Sequence, residues 1–144
     1  MKISLFLFFI SAALACSSQS SVKGKTESNA PEEVLLKGTE DEMLTADFGS
    51  TEVKFRVERI EDNRCPRNAK CITGGAAKAS ISRKEAETTV LCLGPDCREL
   101  TASGEISLEG QSFSIELMEV NPYPEQDNSS ENKVAIFKIR RVTR

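Results

Sequence analysis

The chain contains no histidine, no tryptophan and only one tyrosine in 144 residues. Without histidine it lacks the commonest general base and the usual nitrogen ligand of zinc. No serine stands in a Gly-x-Ser-x-Gly setting, which excludes the nucleophile elbow of the α/β-hydrolases. Glu40, Asp41 and Glu42 are consecutive, and neighbours on an extended segment face opposite ways, so they read as a solvated turn rather than a catalytic carboxylate pair. Positive charge is also short. The 22 acidic residues outnumber 19 basic ones, for a formal net charge of −3. Phosphate recognition needs a basic surface, so no nucleic-acid partner is expected. No cofactor is expected either, and an enzyme is the weakest of the functional classes.

There is one long hydrophobic run. Lys2 precedes the apolar stretch Ile3–Ile10, which continues through Ala12, Ala13, Leu14 and Ala15. The run is shorter than the about 20 apolar residues a spanning helix needs, and it ends in small residues, as a secretory leader does. Ala13-Leu14-Ala15-Cys16 resembles a lipobox, the site where bacterial signal peptidase II cuts before a lipid-modified cysteine. That predicts a leader over 1–15, acylation of Cys16 and a cell-envelope location. Ser17, rather than the Asp that marks inner-membrane retention, points to the outer membrane. The plainer alternative is ordinary cleavage after Ala15. Loss of Lys2 with the leader leaves 18 basic residues against 22 acidic ones, a net charge of −4. Residues 16–32 are small and polar and read as a flexible tether; 33–144 form one domain.

Within that domain the aromatics are Phe48, Phe55, Phe113, Phe137 and Tyr123, so the core must be largely aliphatic. Alternation with a period of two recurs along it. Val53, Phe55 and Val57 interleave with Glu52, Lys54, Arg56 and Glu58; Phe113, Ile115 and Leu117 repeat the pattern. Shorter strand signals occur at Val34–Leu36, Met43–Phe48, Ala77–Ser82, Thr88–Leu93 and Ile106–Leu108. Lys133–Val142 is apolar on both faces, which suits a central strand, yet Lys138, Arg140, Arg141 and Arg144 make the C-terminus basic and suggest charge guarding a sheet edge. Seven or eight short strands predict an all-β antiparallel sandwich or barrel, expected as a monomer.

Besides Cys16 there are four cysteines, Cys65, Cys71, Cys92 and Cys97, and an even number in an exported chain reads as disulfides. Each close pair flanks turn formers, which favours Cys65–Cys71 and Cys92–Cys97. A four-cysteine zinc site is the rival, but the five residues between Cys65 and Cys71 exceed the usual spacing. The segment Asp62-Asn63-Arg64-Cys65-Pro66, followed by Cys71-Ile72, Gly75 and Ala77, resembles a motif of small secreted or lipid-anchored bacterial proteins of Bacteroidetes type. Thr73 stands where that pattern has Trp. The resemblance covers about 25 residues and implies a local disulfide in a β-rich domain, with no activity to transfer.

Four residues are candidates for binding: Arg64, Arg67 and Lys70 around the first disulfide, and Tyr123 between two prolines. The leading expectation is a non-catalytic envelope module, membrane-held through Cys16, that binds a protein or polysaccharide. A protease inhibitor presenting Arg67 or Lys70 from the closed loop is the alternative. Glu61, Asp62 and Asn63 offer oxygens to Ca²⁺ but fall short of its six to eight ligands, so no metal is expected.

Overall fold

In the computed structural model, residues 31–83, 87–126 and 132–143 are described. The leader, Cys16 and the tether up to residue 30 lie outside them, as does Arg144. The alternating segments form eight strands: β1 (Glu33–Gly38), β2 (Met43–Asp47), β3 (Glu52–Asp62), β4 (Ala77–Ser82), β5 (Thr88–Leu93), β6 (Ser103–Leu108), β7 (Gln111–Asn121) and β8 (Val134–Val142). A short 3-10 turn, Pro95–Cys97, separates β5 from β6. The strands pair antiparallel in two four-stranded sheets, ordered β1-β8-β7-β6 and β2-β3-β4-β5. Neither sheet closes on itself, so the fold is a sandwich and not a barrel.

The four phenylalanines of the domain are fully buried and tie the layers together. Phe48 meets Phe113 with ring centroids 5.1 Å apart, and Phe55 meets Phe137 edge-on at 5.4 Å. Each pair joins one sheet to the other. Around them pack Val53, Val57, Leu91, Ile115, Leu117 and Ile139, consistent with the aliphatic core expected from composition.

Two β-bulges change the phase of the alternation. In β3 the register shifts between Val57 and Arg59, so the next buried residue is Ile60 rather than Arg59. In β7 the shift between Leu117 and Glu119 leaves Met118 and Glu119 exposed and buries Val120. A bulge sets two residues of one strand against one of its partner, which reverses the faces beyond it. Beyond Ile60, Asp62 therefore shares the inward side while Glu61 turns out.

β8 lies inside its sheet, between β1 and β7, so its basic residues guard no edge. Their work is local. Lys138 pairs with Glu116 across the sheet at 2.7 Å. Arg141 is half-buried: its Nη2 donates to the Phe48 carbonyl at 3.2 Å, and its backbone N–H donates to the carbonyl of Glu32. The Arg141 Nε is the one buried side-chain polar atom with no hydrogen-bond partner among the described residues.

The register also orients the ends. Glu33 pairs with Arg140 and Gly38 with Ala135, so β1 begins at the end where β8 finishes. β3, β5 and β7 all finish at the opposite end. The connections 63–76 and 94–102 and the described residues 122–126 and 132–133 thus gather at one end of the sandwich, and β1 begins at the other.

Candidate binding surface at the disulfide-loop end

The β3–β4 ladder continues into the 63–76 connection. The Asn63 N–H donates to the Ala76 carbonyl and the Cys65 N–H to the Gly74 carbonyl, each at 2.9 Å. Gly75 makes this neck possible. Its φ is +71°, and a Cβ there would lie 1.9 Å from the Asn63 carbonyl oxygen. No L side chain fits both conditions. Beyond the neck, Cys65 and Cys71 are joined by a disulfide with their Cα atoms 5.9 Å apart. A turn inside the ring brings the Ala69 N–H to the Pro66 carbonyl at 3.1 Å.

The second disulfide, Cys92–Cys97, closes the 3-10 turn after β5 with a Cα separation of 5.7 Å. All four cysteines of the domain are therefore paired as neighbours, and no thiolate remains for zinc. The two stapled loops touch. Gly75 N–H donates to Asp96 Oδ2 at 2.7 Å, and Gly74 lies so close to Pro95 that a Cβ would sit 2.5 Å from its Cγ. Beside this contact an open cleft of about 730 Å³ is lined by Thr73, Lys78, Asp96, Arg98, Glu99 and Leu100.

Under the first loop is a buried ionic cluster. The Asp62 side chain is 1% exposed. Arg64 grips it bidentately, Nε to Oδ1 at 2.7 Å and Nη2 to Oδ2 at 2.8 Å, and its own N–H reaches Oδ1 at 3.3 Å. Lys133, 12% exposed, lies 3.6 Å from the second oxygen. Both cations also reach the region where β7 passes into the third loop: Arg64 Nη2 donates to the carbonyl of Val120 in β7 at 2.6 Å, and Lys133 Nζ to the Pro122 carbonyl at 2.8 Å. Such a cluster is held by charge-assisted hydrogen bonds whose value depends on every partner being present.

Tyr123 then locks the first and third loops. Arg64 lies 4.2 Å from its ring centroid and Arg67 lies 4.9 Å from it. The Arg67 N–H donates to the Pro124 carbonyl at 3.1 Å, and the Gln126 N–H to Asn68 Oδ1 at 3.0 Å. The peptide bond Asn121–Pro122 that opens this loop is cis.

Of the residues singled out from sequence, Arg64, Arg67 and Tyr123 come together in one stack, and Lys70 is exposed on the same loop. The three oxygen-bearing candidates behave otherwise. Asp62 belongs to Arg64 and Lys133, whereas Glu61 faces away and pairs with Arg59 at 3.2 Å. Asn63 is exposed at the neck. Among the described residues no three His, Cys, Asp or Glu side chains converge as metal ligands do. Sequence reasoning passed over Lys133, Asp96 and Ile72. The first two act across loops distant in sequence. Ile72 was visible only as an apolar residue after Cys71, yet it is fully exposed, at 104%.

Set against protein-family models, curated proteins and solved structures, the chain matches none of them. Its class is thus defined by its own architecture: a disulfide-stapled, eight-stranded β-sandwich with one consolidated loop end.

Proposed function

We propose that this chain is a non-catalytic, lipid-anchored module of the bacterial cell envelope, held through Cys16, whose binding surface is the disulfide-loop end. The observation that carries the binding role is the cross-linking of three separate connections into one rigid surface. Asp62, Arg64, Arg67, Tyr123 and Lys133 join the first loop to the third, and Gly75 with Asp96 joins the first to the second. Loops are ordinarily the mobile part of a domain, and rigidity there lowers the ordering cost of binding. The surface lies at the end opposite Glu33, where β1 begins, so an anchor upstream leaves it accessible. The lipobox-like Ala13–Cys16 and the likeness of 62–77 to small lipid-anchored proteins support the anchor.

The inhibitor alternative draws less support. A reactive-site loop has to lay its backbone extended along a protease cleft, and the Arg67 backbone sits inside a turn closed from Pro66 to Ala69 with its N–H on the Pro124 carbonyl.

Peptide mass mapping of protein extracted from its own membrane tests the anchor: a lipid-modified Cys16 peptide is expected, and an unmodified N-terminus rules the anchor out. A photo-cross-linking residue at exposed Asn68 tests the surface. Adducts from position 68 and none from Glu52, at the opposite end, are expected; the reverse pattern sinks the reading.

A further inference from the structure

Ile72 is the most exposed large apolar side chain among the described residues, and it is held there rather than left on a mobile tip. On one side Cys71 is fixed by its disulfide; on the other Gly74 packs on Pro95 and its carbonyl accepts from Cys65. Within its own loop the charge is of one sign. Asn63 through Ala76 holds Arg64, Arg67 and Lys70 and no acidic residue, in a chain whose net charge is −3. Of the neighbouring carboxylates, Asp62 is buried under Arg64, Asp96 accepts from the Gly75 N–H and Glu125 has a partner of its own, while Glu99 is exposed across the cleft that begins at Thr73.

From this arrangement we infer that the loop end docks on an anionic lipid surface, Ile72 entering the boundary between headgroups and acyl chains while Lys70 and Arg67 meet headgroup phosphates. The inference rests on the binding role proposed above and names its partner. An apolar tip with a basic collar is what interfacial attachment requires: the side chain leaves water and the cations remain at headgroup level. A protein partner fits less well, because a stable protein interface buries about 800 Å² on each side around an apolar centre, and here the apolar surface is Ile72 with only the partly exposed Leu100 across the cleft. A fluid lipid surface needs no matching socket. A polysaccharide fits less well again: sugars are received on aromatic rings, and Tyr123, the only aromatic outside the core among the described residues, carries two guanidinium groups. Nor does a polysaccharide account for Ile72.

Geometry allows the anchor and the tip to meet one bilayer. Seventeen residues from Cys16 to Glu32 can extend at most about 60 Å. The eleven-residue strands β3 and β7 are about 36 Å long.

The absence of tryptophan supplies the test. In the full chain, Ile72→Trp creates a single fluorescent reporter at the tip, and Leu35→Trp, 63% exposed on a sheet face, makes a control. Each variant is reconstituted in vesicles of phosphatidylcholine alone or mixed with phosphatidylglycerol, some carrying brominated acyl chains. The tip reporter is expected to shift to the blue and to be quenched in the phosphatidylglycerol vesicles only, with the Leu35→Trp reporter unchanged. Adding Arg67→Ala and Lys70→Ala should weaken the response about 25-fold, about fivefold for each cation removed. No shift with phosphatidylglycerol, an equal shift in both vesicle types, or an equal shift of the control each overturns the inference. So does a tip reporter that responds to soluble polygalacturonate and not to vesicles, which would make the ligand a polyanionic glycan. Any of these leaves the Asn68 cross-linking result standing, so the two proposals fail separately.

Discussion

The Arg64 guanidinium lies 4.2 Å from the centre of the Tyr123 ring while its Nε and Nη2 hold both oxygens of Asp62. One side chain, 11% exposed, thus joins a carboxylate on β3 to an aromatic on the loop after β7. This contact spans the two sheets at their loop end and sets what each neighbouring residue is worth.

Asp62→Ala leaves Arg64 and Lys133 buried without a counter-charge. Removing one partner of a buried ion pair costs about 3–5 kcal/mol, so the urea midpoint should fall far below that of the unaltered protein. A loss under about 1 kcal/mol would mean that the cluster is solvated and contributes little.

The ring of Tyr123 is what two cations rest on, so its face matters more than its hydroxyl. Tyr123→Leu should cost about 2 kcal/mol for two cation–π contacts, and Tyr123→Phe clearly less. Thermal unfolding of the two variants decides the matter; equal losses would assign the effect to the hydroxyl.

Gly75 and Gly110 both have positive φ, +71° and +78°, and differ in their surroundings. A Cβ at position 75 strikes the Asn63 carbonyl, while at position 110 nothing lies within 4 Å. Gly110→Ala should therefore cost only the left-handed strain, about 1 kcal/mol. Gly75→Ala should cost several times more and break the neck of the loop. Equal stability of the two variants would refute the close approach.

The disulfide Cys65–Cys71 closes a short ring, which limits how much chain entropy it removes from the unfolded state. Replacing both cysteines by Ala should cost about 2 kcal/mol and leave the sandwich folded, as read by denaturant midpoint and far-UV circular dichroism. In the paired variant Cys92→Ala/Cys97→Ala the first residue is buried, so a packing loss adds to the entropic one.

Much of this architecture is legible along the chain. Period-two alternation marks the strands because successive side chains of an extended backbone point to opposite faces, whatever lies across from them. The alternation legible from Glu52 to Glu58 belongs to a strand that runs on to Asp62 with its phase reset by the bulge after Val57; no residue type in Val57-Glu58-Arg59 announces that shift. The binding candidates Arg64, Arg67 and Tyr123 were legible as residues and not as a unit. Tyr123 is read from sequence as a loop residue between prolines, and only packing puts it on the two arginines.

By itself, the sequence determined that the domain is all-β and favoured pairing each cysteine with its near neighbour. Both follow from local spacing. The tertiary structure alone decided that the sheets stay open as a sandwich, that β8 is interior despite its basic residues, that Asp62 turns inward to Arg64 and Lys133, and that Ile72 stands alone in solvent. Backbone hydrogen bonds between strands carry almost no side-chain information, so alternation shows which face of a strand is buried and not which strand lies beside it. The loop end inherits that indeterminacy, since its contacts exist only once distant strands have paired.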